Sequence, residues 1–233
     1  MEIVELLLNN TVITILLFAA IIYSMIASAS VKSTFAKYNK IYASSKMPAC
    51  DVARQILEMN GIYDIQIVRV AGNLTDHYDP RKKIIALSDT VYGSSAVGAI
   101  GVAAHECGHA IQYAKSYGPI KARNTLAPVV NICSQAWVWV FMIGCALGSL
   151  FMAEVGIVFF SVVVLFQLIT LPVEFDASNR AIKTLVDTGI LYGEEVKGAR
   201  KVLKAAAMTY VSALLVSLLQ LLRLISSTRS RKR

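Results

Sequence analysis

The sequence predicts an α-helical membrane protein with a small α+β polar part and three to four transmembrane helices. Three observations predict it. Hydrophobic residues make up 56% of the 233, with a mean hydropathy of +0.57, more than a water-facing surface tolerates. Uncharged apolar runs recur that are long enough, at about 1.5 Å per residue, to cross a hydrocarbon core of about 30 Å. Polar residues gather into two segments between those runs.

Residues 6 to 29 are the first predicted span. The leader before it carries Glu2 and Glu5 but no Lys or Arg, whereas a cleaved signal peptide has a basic leader and a shorter core. The run therefore reads as a retained anchor.

Residues 30 to 123 form the main polar segment and open with KSTFAKYNKIYASSK, whose interleaved lysines and aromatics suit a membrane interface. Pro48 and Gly61 bracket DVARQILEM, in which Val52, Ile56 and Leu57 share a face, so a short amphipathic helix is expected. DIQIVRVA alternates with period two, GNLTDHYDPRKK carries turn chemistry at Asp79-Pro80, and IIALSD is a second β-rich run. Together they predict a two-stranded ribbon with a long loop. Ser94 or Ser95 is then expected to cap a helix running to about Tyr113.

Apolar runs at about 125 to 153 and 156 to 172 are separated only by Glu154 and Val155, which predicts a membrane hairpin over 125 to 172 with its turn there. Residues 173 to 204 become polar again. A last apolar run, 205 to 225, precedes the basic tail 226 to 233.

Lys and Arg number none before the first span, 12 in residues 30 to 123, none in the hairpin turn, 6 in 174 to 204 and 5 from Arg223 onward. Positive residues are retained inside, so both polar segments are expected in the cytoplasm, in a multi-pass protein of the cell membrane. The basic tail opposes this if residues 205 to 225 cross the bilayer. Either that run crosses against the rule or it lies along the membrane without crossing. The net charge of +8 sits beside apolar runs, where anionic lipid accounts for it and nucleic acid is not required. Cys50, Cys107, Cys133 and Cys145 show no paired spacing, so no disulfide framework is expected.

The chemistry resides in His105-Glu106-Cys107-Gly108-His109, an HExxH pattern within the helical stretch SAVGAIGVAAHECGHAIQYA. Residues four apart share a helix face, so His105 and His109 can both present an imidazole nitrogen to one Zn²⁺, one ion per chain, with Glu106 beside the water-bearing position. A carboxylate there can take a proton from that water and return it to a leaving amine, as amide hydrolysis requires. The competing interpretation is a helix that happens to carry two histidines. Against it, only three histidines occur in the chain and two are in the pattern, while Gly101, Ala103, Ala104 and Gly108 keep its surroundings small. Cys107 lies about 200° round the helix from His105 and is expected to be structural.

A catalytic zinc needs a third protein ligand and an open position. Glu174, opening EFDASNRA after the third apolar run, is the expected ligand; its alternative is an interfacial carboxylate paired with Arg180 or Lys183. Asp176, two residues on, faces nearly the opposite way on a helix and is not expected to ligate with it. His77 has two readings of equal weight, a functional one as donor to a developing oxyanion or substrate contact beside the metal, and a polar loop residue; as a third ligand it ranks below Glu174, because a long loop positions a ligand less rigidly than a helix.

With these motifs in hand, the chain resembles the YugP-type neutral zinc metallopeptidases of bacteria, relatives of the HtpX and CAAX prenyl protease group. The resemblance runs through LTDHYDPR, IGVAAHECGHAIQ, VVLFQLITLPVEFDAS and GARKVLKAAAMTYV. In the wider group a glutamate opening Glu-x-x-Ala-Asp completes the zinc site. It maps onto Glu174 with Ala177, and Ser178 stands where those relatives have Asp.

The expected function is an integral membrane zinc metalloendopeptidase acting on protein or peptide substrates, membrane-associated ones among them. A non-catalytic zinc site in a membrane scaffold or regulator is the alternative, but it leaves Glu106 without a role. A zinc transporter is the third reading; its sites usually lie at mid-membrane on interrupted helices, not at helix ends. The order of the chain also suggests IIALSD as an edge strand that pairs with extended substrate.

Overall fold

The computed structural model describes residues 10–231. Residues 6–9 of the first expected span and 232–233 of the tail lie outside the described residues. Along the chain run α1 (Asn10–Tyr38), α2 (Ala49–Met59), β1 (Gln66–Val70), β2 (His77–Asp79), β3 (Ile84–Ser88), α3 (Val97–Ala114), α4 (Gly118–Ala146), α5 (Leu150–Asp187) and α6 (Glu194–Arg231). Four of the helices, α1, α4, α5 and α6, are long and apolar enough to cross a membrane.

The chain divides into two compact units, one of Met1–Ala27, Ala122–Leu171 and Thr209–Arg233, the other of Ser28–Lys121 and Pro172–Met208. The first is built from the apolar helix segments. Phe160, Val164, Leu214 and Leu224 form its buried cluster, and Trp137 packs on Phe160 at 4.4 Å between ring centroids. Ile15, Phe18, Ile22, Met25, Ile132, Trp139, Phe151 and Val158 remain exposed, as side chains whose solvent is lipid would.

The hairpin turn falls at residues 147–149, not at Glu154-Val155. Gly148 adopts φ +66°, which glycine takes without a Cβ penalty, and Ser149 N–H closes on the Gly144 carbonyl at 2.8 Å. Glu154 consequently lies inside α5, because backbone turn chemistry decides where the chain reverses and one charge does not. Helix α5 also continues through Pro172, where only the Leu168 carbonyl loses its regular N–H partner. The last apolar run is likewise continuous with the polar residues before it in α6.

The second unit holds the sheet, α2 and α3. Helix α2 begins after Pro48 and buries Ala49, Val52, Ala53, Ile56 and Leu57, a stripe at the spacing of one helix face. Gly61, at φ +72°, ends it by letting Ile62 N–H reach the Leu57 carbonyl. Strands Ile85 and Leu87, together with Ile100, Ala103, Ala104, Leu185 and Leu191, share the core beside it.

The sheet has three strands in the order β1-β3-β2, where a two-stranded ribbon was expected. β1 runs parallel to β3, and β2, taken from within the expected loop, pairs antiparallel with β3. The Asp79 carboxylate accepts from Arg81 and Lys82 N–H and tightens the β2–β3 turn. Asp76 accepts from both Ser88 N–H (2.7 Å) and Ser88 Oγ (2.9 Å), which ties the entry of β2 to the end of β3. β3 is therefore central, with neighbours on both sides, and the edge-strand role expected for IIALSD is excluded.

Helix α3 starts at Val97 without a side-chain cap, contrary to the expectation for Ser94 or Ser95. Backbone supplies the need: Val97 N–H donates to the Ile41 carbonyl at 2.8 Å, beside a Tyr42–Ala96 bridge. Ser94 Oγ accepts from Ala96 N–H, one step ahead of the helix.

Candidate metal centre

Helix α3 is buried along most of its length and lined with alanine and glycine, so neighbouring backbone can come close to it. His105 and His109, one turn apart, set their rings edge to face with centroids 4.7 Å apart. From α5, the Glu174 carboxylate enters between them, its Oε2 lying 3.3 Å from His105 Nε2 and 3.7 Å from His109 Nε2. Glu174 is 3% exposed.

These three residues form a cluster whose potential ligand atoms all lie within 4.8 Å of one another. Zinc bonds of about 2.0–2.1 Å at tetrahedral angles put neighbouring ligand atoms about 3.3 Å apart, close to the two separations between Glu174 and the imidazoles. The ring nitrogens on the far side are also engaged. His105 Nδ1 lies 3.2 Å from Ser178 Oγ, and His109 Nδ1 lies 3.0 Å from Gln112 Oε1, so both Nε2 atoms are free to face a cation. Such partners fix the ring and its tautomer. Ser178 supplies this contact to His105 through its hydroxyl.

A close backbone approach makes this convergence possible. A β-carbon on Gly108 would stand 2.5 Å from the Ala177 carbonyl oxygen and 3.1 Å from its carbon, so only glycine admits α5 at this distance. Glu174 and Ser178 flank Ala177 on the helix that Gly108 admits.

The alternative partners of Glu174 are committed elsewhere. Arg180 pairs with Asp176 at 2.5 Å and Lys183 with Asp187 at 2.8 Å. Asp176 stands outside the candidate metal cluster and accepts from Gln112 Nε2 at 2.8 Å.

Glu106 is 8% exposed and sits on α3 between the two histidines in sequence. Cys107 is fully buried, points its thiol at the Ala53 carbonyl and is pushed strongly upward in pKa by that burial and then by the Glu106 charge, so it is inert packing. Burial works against a charged His109, but hydrogen bonding to Glu174 and the Glu106 and Glu174 charges outweigh it and raise the imidazole above its usual value.

His77 opens β2, exposed, and is not in the cluster. Its Nδ1 lies 3.0 Å from the Thr75 carbonyl, so Nδ1 carries the proton and the neutral ring presents only an acceptor at Nε2. Donation to an oxyanion would need the doubly protonated ring.

Gln112 was not among the residues singled out by motif. Its signal was available: a long amide one turn beyond the second histidine, in a helix otherwise buried with small and apolar side chains, needs buried partners.

The family described as "putative neutral zinc metallopeptidase" matches residues 13–229. The chain is also 48% identical, over 210 residues, to "Putative membrane protease YugP" of Bacillus subtilis (strain 168), covering 90% of this chain and 93% of that protein. No solved structure matches it significantly.

Proposed function

The chain belongs to the neutral zinc metallopeptidase family, and we propose that it is a membrane metalloendopeptidase in which His105, His109 and Glu174 hold one zinc ion and Glu106 is the general base. The observation that carries this reading is the single Glu174 oxygen within 3.3 and 3.7 Å of two Nε2 atoms on the HExxH helix. Held by these three residues, zinc would supply an acidified water and a Lewis acid for the scissile carbonyl.

The chain's own residues do the rest. Ser178 and Gln112 hold the imidazoles with Nε2 forward. Glu106, shielded from bulk water, takes a proton from the attacking water as its oxygen bonds to the carbonyl carbon. It then passes the proton to the amide nitrogen as the C–N bond breaks. Three protein ligands leave a fourth position open, which suits catalysis and not a structural site.

The same reading puts both polar segments in the cytoplasm, supported by 12 and 6 Lys and Arg residues in them and none before the first span. Membrane and membrane-proximal proteins are the proposed substrates, from the apolar composition of the chain.

Wild type and Glu106→Gln, purified in detergent, should bind equal zinc, while fragments of membrane proteins appear only in cells expressing wild type. Equal fragment patterns from the two would reject the peptidase reading and favour an idle zinc site.

A further inference from the structure

We infer that Gln112 is a positioning residue for the metal centre, tying the second histidine of the HExxH helix to the backbone beside Glu174. The inference rests on the zinc-site reading and adds a residue to which neither the HExxH motif nor the Glu174 motif assigns a role.

Gln112 is 0% exposed, so its amide must find all its partners inside the protein. Nε2 donates to the Val173 carbonyl and to Asp176 Oδ2, both at 2.8 Å. Oε1 lies 3.0 Å from His109 Nδ1. The amide has one satisfactory orientation, because exchanging its two ends would set an oxygen against two acceptors. Oε1 must therefore face His109, and Nδ1 must be the donor. The His109 lone pair is left on Nε2, the atom facing Glu174.

The orienting groups are held in turn. Asp176 is paired with Arg180, and the Arg180 guanidinium lies over the Tyr117 ring, 5.7 Å from its centroid. Val173 immediately precedes Glu174, so one side chain bridges the histidine and the chain position next to the carboxylate.

Gln112→Met keeps the length and apolar stem and removes both hydrogen-bonding functions. Zinc affinity measured by chelator competition should fall about 10- to 100-fold, the usual loss when a ligand's outer partner is removed. The visible spectrum of the cobalt-substituted protein should change with it, a signature that packing alone would not move. Far-UV circular dichroism of the metal-free variant checks its fold. Wild-type affinity and an unchanged cobalt spectrum would overturn the inference.

A measurement on wild type covers the case of a variant that does not fold. In protein labelled at the histidine nitrogens and loaded with NMR-active cadmium, His109 should couple to the metal through Nε2 and keep a slowly exchanging Nδ1 proton. Coupling through Nδ1 overturns the inference. Wild type that binds no zinc, or a His109→Ala variant with undiminished affinity, rejects the zinc site itself and is distinguishable from either result.

Discussion

The carbonyl oxygen of Ala177 faces the bare Cα of Gly108, and a methyl group there would intrude to 2.5 Å. Two helices meet at this point, and each carries its residues of the candidate cluster one to three positions away. Gly108→Ala should therefore separate Glu174 from the histidines as well as overpack the contact. Thermal unfolding in detergent should show a loss of about 1–3 kcal/mol, with weakened zinc binding. Unaltered stability and affinity would mean that the helices do not approach so closely.

Ser178 takes the outer position on His105 at 3.2 Å. Ser178→Ala should lower zinc affinity by about 10- to 100-fold, and Ser178→Asp should preserve it, because a carboxylate also accepts from Nδ1–H. Chelator competition on the three proteins measures this. Equal affinity in the alanine variant would show that the hydroxyl contact does not orient the ring.

Part of the candidate metal cluster is legible in the sequence because its helical half is local. Helical spacing alone brings His105 and His109 together, and the need for a third ligand points to Glu174 on the next polar segment, which the fold brings beside them. The supports were harder to see. Gln112 bonds to Val173 and Asp176, some 60 positions away, and sequence does not reveal which helix faces which. The third strand is illegible for a related reason: β2 is only three residues long and ends at the turn residue Asp79, so its pairing with β3 is a tertiary outcome. At the hairpin, the charge of Glu154 is visible in the sequence, whereas the left-handed backbone of Gly148 that makes the turn is not.

The raised pKa of His109 predicts a pH dependence in the metal-free protein. A folded value above the unfolded one, about 6.5, means that the protonated ring stabilises the fold fully below that value. This contribution is lost as pH rises through the raised folded value. Zinc affinity should change in the opposite sense across the same window, because the metal requires the neutral ring. Unfolding midpoints and zinc titrations over a pH series test both signs. A metal-free stability that rises through this window, with His109→Ala behaving alike, would contradict the assignment.

His77 lies outside the candidate metal cluster, which separates a metal role from a substrate role. With Nδ1 committed to Thr75, His77→Ala should leave zinc content unchanged. If the ring contacts substrate, the variant should lose activity with its zinc intact. A loss of bound zinc in His77→Ala would instead make it part of the metal site.

The most direct test of the centre is the zinc content and X-ray absorption spectrum of purified wild type beside Glu174→Ala. One zinc per chain, with a nitrogen and oxygen shell at about 2.0–2.1 Å and no sulfur, is expected for wild type, and loss of most of that zinc for the variant. Sulfur in the shell, or full zinc retained without Glu174, would contradict a site made of His105, His109 and Glu174.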